Sequence, residues 1–204
     1  MSFLRGHGEP SRTMMFLLFL ILPVTLQAGT LTQKVQETYQ STRSFEAQFT
    51  QKTHIQILDR DVVEKGRLIF DQPGKFFIHY FHNQGSQERQ YLCDGKNLVI
   101  YRPRDKEVER YQNIHDQISP EALIFLGGLG NMTREFRVSE KGETLTLTPK
   151  KKSSLMKQIV LTIDPKTSLV SHVLLLPKSG NQSLYEFSNT KTNQSYNDKI
   201  FLVP

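Results

Sequence analysis

Few residues in this chain have the types and spacing that catalysis needs. It contains no G-x-S-x-G nucleophile elbow, no H-E-x-x-H metal pair and no G-x-x-x-x-G-K-[ST] phosphate loop. Gly127, Gly128 and Gly130 share only their composition with a phosphate cradle; no Lys-Ser/Thr follows, and they read as a helix stop. His79 and His82 are the nearest pair of metal-ligating side chains, but three residues apart on a strand they point to opposite faces. Cys93 is the sole cysteine, which removes disulfide frameworks and cysteine-clustered metal sites. Set among apolar strand residues, it reads as a buried, inert thiol. Lys150, Lys151, Lys152 and Lys157 gather at a predicted hairpin with no aromatic neighbours. That pattern suits a solvated loop or a docking patch for a partner, not a nucleic-acid platform.

What the chain holds in excess is apolar strand surface. Phe76-Phe-Ile-His-Tyr-Phe81 carries large apolar groups on both strand faces. Either the sheet is covered on both sides, or one face lines a cavity for something oily. Sequence period alone does not separate the two.

The elements that must position these residues follow from composition and pattern. The 204 residues are 37% hydrophobic and 23% charged, ordinary globular values with room for one domain, and the net charge is +6. Arg5 and Arg12 precede an apolar run from Met14 to Leu26, with small residues at Ala28 and Gly29. Residues 1–28 therefore read as a secretory signal peptide and 29–204 as a single exported domain. The alternative, a membrane anchor, is short: about 13 apolar residues interrupted by Pro23, against the roughly 20 that a spanning helix needs.

Leu31, Val35, Thr38 or Tyr39, and Thr42 recur at helical spacing, which predicts an amphipathic helix over 30–43. From there the period becomes two. Strands are predicted at 45–51, 66–70, 76–81, 88–93, 98–101 and 108–111, then at 136–139, 144–148, 157–163, 170–176 and 184–187. Turn chemistry at Gln72-Pro-Gly, Asp94-Gly-Lys, Lys141-Gly-Glu and Asp164-Pro-Lys separates them. One interior segment breaks the rhythm: Ser119 can cap a short helix, Pro120 suits its first position, and Gly127-Gly128 ends it. Ala122, Leu123, Ile124, Phe125 and Leu126 leave that helix no polar face, so sheet or ligand must cover it. The expected fold is mainly β with an α lid, an unclosed antiparallel barrel or strongly curved sheet covered by short helices.

Several segments also resemble a known family. Ser44-Phe-Glu-Ala-Gln-Phe-Thr-Gln-Lys, Gly66-x-Leu, Pro73-Gly-Lys-Phe, Asp94-Gly-Lys-Asn-Leu-Val-Ile-Tyr-Arg-Pro, Leu147-Thr-Pro and Leu155-x-Lys-Gln-Ile are similar to the periplasmic outer-membrane lipoprotein carrier, the LolA family. The resemblance runs from the first helix to the end of the chain. It implies an open barrel holding the acyl chains of outer-membrane lipoproteins on their way from an inner-membrane lipoprotein-releasing ABC transporter to an outer-membrane lipoprotein acceptor. It implies a periplasmic location, no enzyme activity and no cofactor, beside the reading of the residues themselves, which offers no metal site and no nucleic-acid surface. It gives Phe45, Phe49, Leu68, Phe70, Phe76, Ile78 and Tyr80 a lipid-facing position on the wall. Ala122, Leu123, Ile124 and Leu126 take the same role on the lid, with Ile124 and Gln72 at its latch. Gln72 is a departure, because the family commonly has an arginine just before this proline. An alternative of the same fold is a periplasmic module that senses lipid or lipoprotein.

Overall fold

The computed structural model describes residues 30–83, 87–114 and 129–202. The expected signal segment 1–28 and the short helix from Ser119 to Leu126 lie outside these residues.

The chain enters through α1 (Leu31–Ser41), closed at its start by a capping box. The Thr30 hydroxyl accepts from the Gln33 amide, and the Gln33 side chain accepts from the Thr30 amide. Of the two residues that could have continued the apolar stripe, Tyr39 faces inward, while the Thr38 hydroxyl turns back to the Lys34 carbonyl. Eleven strands follow: β1 (Ser44–Ile55), β2 (Arg60–Asp71), β3 (Lys75–Tyr80), β4 (Arg89–Asp94), β5 (Leu98–Arg102), β6 (Glu107–Tyr111), β7 (Phe136–Lys141), β8 (Thr144–Pro149), β9 (Met156–Ile163), β10 (Val170–Pro177) and β11 (Gln182–Thr192). They form one antiparallel sheet in the order β6-β5-β4-β3-β2-β1-β11-β10-β9-β8-β7. The first and last strands pair at its centre. Its two edges, β6 and β7, are consecutive in the chain and do not pair, so the sheet stays open.

Each predicted strand is present, but the central ones are longer than the apolar alternation suggests. β1 and β2 continue past Gln51 and begin before Gly66, because polar pairs there hold the hairpin without a buried face. Lys52 bridges to Asp61 at 2.8 Å and His54 to the same carboxylate at 3.0 Å. The reversal falls at Gln56–Leu58 with Asp59 in the left-handed region.

Opposite parities of the strands do different work. On the face carrying Leu68, Phe76 and Ile78, the side chains point into the fold's interior. On the reverse face Ile69, Phe77 and Leu92 lie side by side across β2, β3 and β4. The C-terminal turn Asp198–Phe201 packs over β3 and β4 there, and Ile69, Leu92 and Phe201 are all nearly fully buried. The two-faced apolar run is thus explained on both sides as far as Tyr80, with Lys75 fixing the turn through Asp198 at 2.7 Å, while Phe81 beyond the strand is exposed and meets the His79 ring edge-on.

Candidate functional site

The inward parity of β1 to β5 and of β9 to β11, with Tyr39 of α1 and Leu129, lines a partly open apolar cavity of about 350 Å³. That is within the range of small-molecule sites. All seven strand residues expected to face lipid line it: Phe45, Phe49, Leu68, Phe70, Phe76, Ile78 and Tyr80. The register shows why they meet, since Phe45 pairs with Phe70, Phe70 with Phe76, and Leu68 with Ile78. Ala122, Leu123, Ile124 and Leu126 lie outside the described residues.

Sequence reasoning missed the opposite wall. Val173 and Leu175 of β10, Tyr185 and Phe187 of β11, and Met156 and Ile159 complete the lining. Their alternation was visible, but the β1–β11 pairing that brings them opposite Phe49 joins the two ends of the chain and leaves no local trace.

One glycine shapes the wall. Gly66 lies between Phe49 of β1 and Tyr80 of β3, and a Cβ there would stand 2.4 Å from the Phe49 ring. Its absence lets Phe49 lie flat over β2 and meet the Tyr80 ring edge-on, with centroids 5.0 Å apart.

The two ends of the cavity are polar and differ in kind. At one end Thr42, Arg43, Ser44 and Gln72 come from the α1–β1 and β2–β3 connections. Gln72 donates from Nε2 to the Tyr39 carbonyl of α1 at 3.5 Å, and its amide donates to the Arg43 carbonyl at 2.9 Å. At the other end a belt of polar side chains crosses β1 to β4. The Tyr80 hydroxyl donates to Gln51 Oε1 at 2.9 Å, and Gln51 Nε2 donates to the Thr53 hydroxyl at 2.9 Å. Arg89 makes a two-pronged bridge to Glu64 at 2.6 and 3.1 Å, donates from Nε to the Tyr91 hydroxyl at 3.2 Å, and stacks 3.8 Å over the Tyr80 ring. Burial works against the Arg89 charge, but Glu64 and Tyr91 hold it protonated more firmly than usual. Burial and the neighbouring Tyr185 push the Tyr80 phenol far up. Tyr80 therefore acts here as a neutral donor.

α1 is pinned over this interior at both ends. The amides of Leu31 and Thr32 donate to the Glu140 carboxylate of β7 at 3.1 and 3.0 Å, and the Thr32 hydroxyl bonds it too. These bonds, led by the Thr32 hydroxyl, hold the Glu140 pKa below the ordinary carboxylate value. At the other end the Tyr39 hydroxyl accepts from the Val170 amide at 3.1 Å, and burial pushes its pKa up to about 12.

The residues first examined for chemistry take structural places. Cys93 is a buried free thiol whose pKa burial raises. His79 lies on the reverse face against Glu88 at 2.8 Å. Among the described residues no group of His, Cys, Asp and Glu is placed to hold a metal. Lys150 donates to the carbonyls of Thr133 and Arg134 at 2.8 and 3.3 Å, closing the short helix Met132–Glu135 from its C-terminal side.

An open antiparallel sheet wrapped around a ligand-sized apolar cavity defines a binding protein for an apolar ligand. Known proteins agree. Residues 40–203 match the family model described as outer membrane lipoprotein carrier protein LolA, and the chain belongs to that family. Its members are carriers, not enzymes. An outer-membrane lipoprotein carrier protein from Pseudomonas putida (strain GB-1) is 26% identical over 89% of this chain and 91% of its own length. One from Pasteurella multocida is 31% identical over 67% of this chain and 64% of its own. In fold, the chain is similar to an uncharacterized conserved protein from Thermus thermophilus, with a TM-score of 0.54 at 9% identity over 85% of this chain and 92% of that one.

Proposed function

We propose that this protein is a periplasmic chaperone that carries outer-membrane lipoproteins, hiding their acyl chains in the cavity between β1–β5 and β9–β11. It takes them from an inner-membrane lipoprotein-releasing transporter and delivers them to an outer-membrane acceptor. The observation that carries this reading is the cavity itself, lined by Phe45, Phe49, Leu68, Phe70, Phe76, Ile78 and Tyr80 and by aliphatic and aromatic groups of β9 to β11. A folded protein fills such a space unless something else is to occupy it. The names of the relatives, outer-membrane lipoprotein carrier proteins, supply the cargo class.

The energetics fit the task. Each methylene moved from water to an apolar wall is worth about 0.8 kcal/mol, so an unescorted acylated protein would stay in its membrane or aggregate. Dispersion and hydrophobic contact are non-directional, which lets chains be gripped in bulk and still released. In this reading the Gln72 contact to α1 belongs to the latch, and the segment Ser119–Leu126, which the sequence pattern predicts to be helical and apolar, is assigned as the lid, with Ile124 at the latch. The test is extraction. Purified protein mixed with inner-membrane vesicles holding a labelled triacylated lipoprotein and its release transporter is expected to yield a soluble complex, which then loses its lipoprotein to acceptor-bearing vesicles. Label that stays with the vesicles in the presence of an active transporter contradicts the proposal.

A further inference from the structure

The polar belt lies where the apolar wall stops, and its position along the strands has a length attached to it. On β1 the inward row runs Phe45, Ala47, Phe49 and then Gln51; on β3 it runs Phe76, Ile78 and then Tyr80, whose hydroxyl closes onto Gln51. At about 3.3 Å per strand residue, the apolar stretch from Phe45 to Phe49 is roughly 13 Å long. One leaflet of a bilayer core, half of about 30 Å, is roughly 15 Å deep. The two lengths match. A chain lying along the strands from the Thr42, Arg43 and Gln72 end would bring its terminal methyl against Tyr80 and Tyr91, whose hydroxyls are bonded to Gln51 and Arg89 behind them.

We propose that the belt Gln51–Tyr80–Arg89–Glu64 is an acyl-length stop, a specificity element that sets the longest chain the cavity accepts; this rests on the carrier reading above. The belt is built to resist displacement. Glu64 and Arg89 are only 11% and 24% exposed and satisfy one another through two bonds, and Arg89 is further held by the Tyr80 ring and the Tyr91 hydroxyl. No buried side-chain nitrogen or oxygen among the described residues lacks a partner, so a chain pushing deeper would have to break bonds that are all in use. The magnitudes favour the stop. One further methylene improves binding about fourfold, whereas parting a buried ion pair costs on the order of a hundredfold or more. A chain that is a few carbons too long gains less by entering than the belt loses by opening.

The experiment compares the intact mature protein with belt variants, using synthetic lipopeptides acylated with hexanoate, octanoate, decanoate, laurate, myristate, palmitate, stearate or arachidate. Wild type is expected to bind each chain two methylenes longer about fifteenfold more tightly until the terminus reaches the belt, after which affinity levels off or falls. Replacing both charges together, Glu64→Leu with Arg89→Leu, removes the stop without leaving a buried charge unpaired and should move the break to longer chains. Gln51→Leu, which keeps the ion pair and the fold, should move it less in the same direction. The Glu46–Arg67 pair on the reverse face, bridged at 3.0 Å, gives a control whose double replacement should leave the break in place. A wild-type affinity that climbs through arachidate, or a break that stays put in both belt variants, overturns the stop. Failure of wild type to bind any of the lipopeptides overturns the carrier reading instead.

Discussion

On the β7–β10 side of the sheet, Leu145, Leu147, Leu161 and Ile163 are all but completely buried beneath α1 and the segment around Leu129 and Met132. On the β1–β5 side, Phe70, Ile78, Tyr91 and Ile100 also point inward, yet they are only half-buried. Both regions are apolar and both belong to one continuous sheet, so hydrophobicity does not distinguish them. Side-chain shape and the anchoring of the cover do. Aliphatic groups interdigitate to crystal-like density, and α1 is fixed over them by Glu140 and by the Tyr39–Val170 bond. On the other side, rings meet edge-on or tilted at 5.0 to 6.4 Å and leave space between them, and the directional bonds are confined to the two ends of the cavity. The layer packed beneath α1 is scaffold, and the β1–β5 wall, which faces Ile159, Val173 and Leu175 across the cavity, is the side of the compartment that the scaffold holds open.

The largest expected effect comes from attacking the scaffold. Leu161 is fully buried, and Leu161→Ala should cost about 2–5 kcal/mol in urea denaturation, the range for a truncated core leucine. Ile78→Ala borders existing open space and should cost less than half as much. Equal losses would mean that the two halves are packed alike.

The converse substitution should hurt binding in preference to stability. Ile78→Asp places a carboxylate on the cavity wall, where water can still reach it when the cavity is empty but not beneath an acyl chain. A lipopeptide should bind at least tenfold more weakly, while the midpoint of thermal unfolding moves less than in Leu161→Ala. A collapse of stability with no separable loss of binding would make Ile78 ordinary core.

These contrasts show what the sequence could and could not reveal. Alternation placed Phe45, Phe49, Leu68, Phe70, Phe76, Ile78 and Tyr80 on one face, because a strand's period of two is local information. The eleven strands, the amphipathic first helix and the buried thiol of Cys93 were legible for the same reason. The reverse-face cover by Phe201 and the cavity wall from β10 and β11 were not, since both depend on contacts between distant parts of the chain. The polar belt did leave a trace, in Glu64 and Arg89 at inward positions on β2 and β4. Only the β2–β3–β4 register turns those two charges into a pair.

A smaller effect should come from the latch. Gln72→Arg would set a cation beside the last carbonyls of α1, where charge and helix dipole reinforce the bond now made by the amide. The closed form should gain about 0.3–1 kcal/mol, seen as slower uptake of lipopeptide with unchanged folding. Unchanged uptake would remove Gln72 from the gate.

The smallest effect concerns the pinning of α1 and depends on pH. Glu140 has a depressed pKa in the folded protein, so its stabilisation is complete above the ordinary carboxylate value of about 4.3 and is lost as pH falls through the lower, folded value. Glu140→Gln should therefore be slightly less stable than wild type at neutral pH, and the gap should close in acid. A gap that is the same at every pH would show that the carboxylate charge contributes nothing to holding the helix.

Strand parity tests the central claim most directly. With a photoreactive benzoylphenylalanine placed either at Ile78, inside the cavity, or at Phe77, on the reverse face of the same strand, the protein is loaded with an acyl-labelled lipoprotein and irradiated. Cross-linking of the acyl chain from position 78 and not from position 77 is the predicted result. Equal cross-linking from both, or cross-linking from 77 alone, would contradict the assignment of the cavity to lipid.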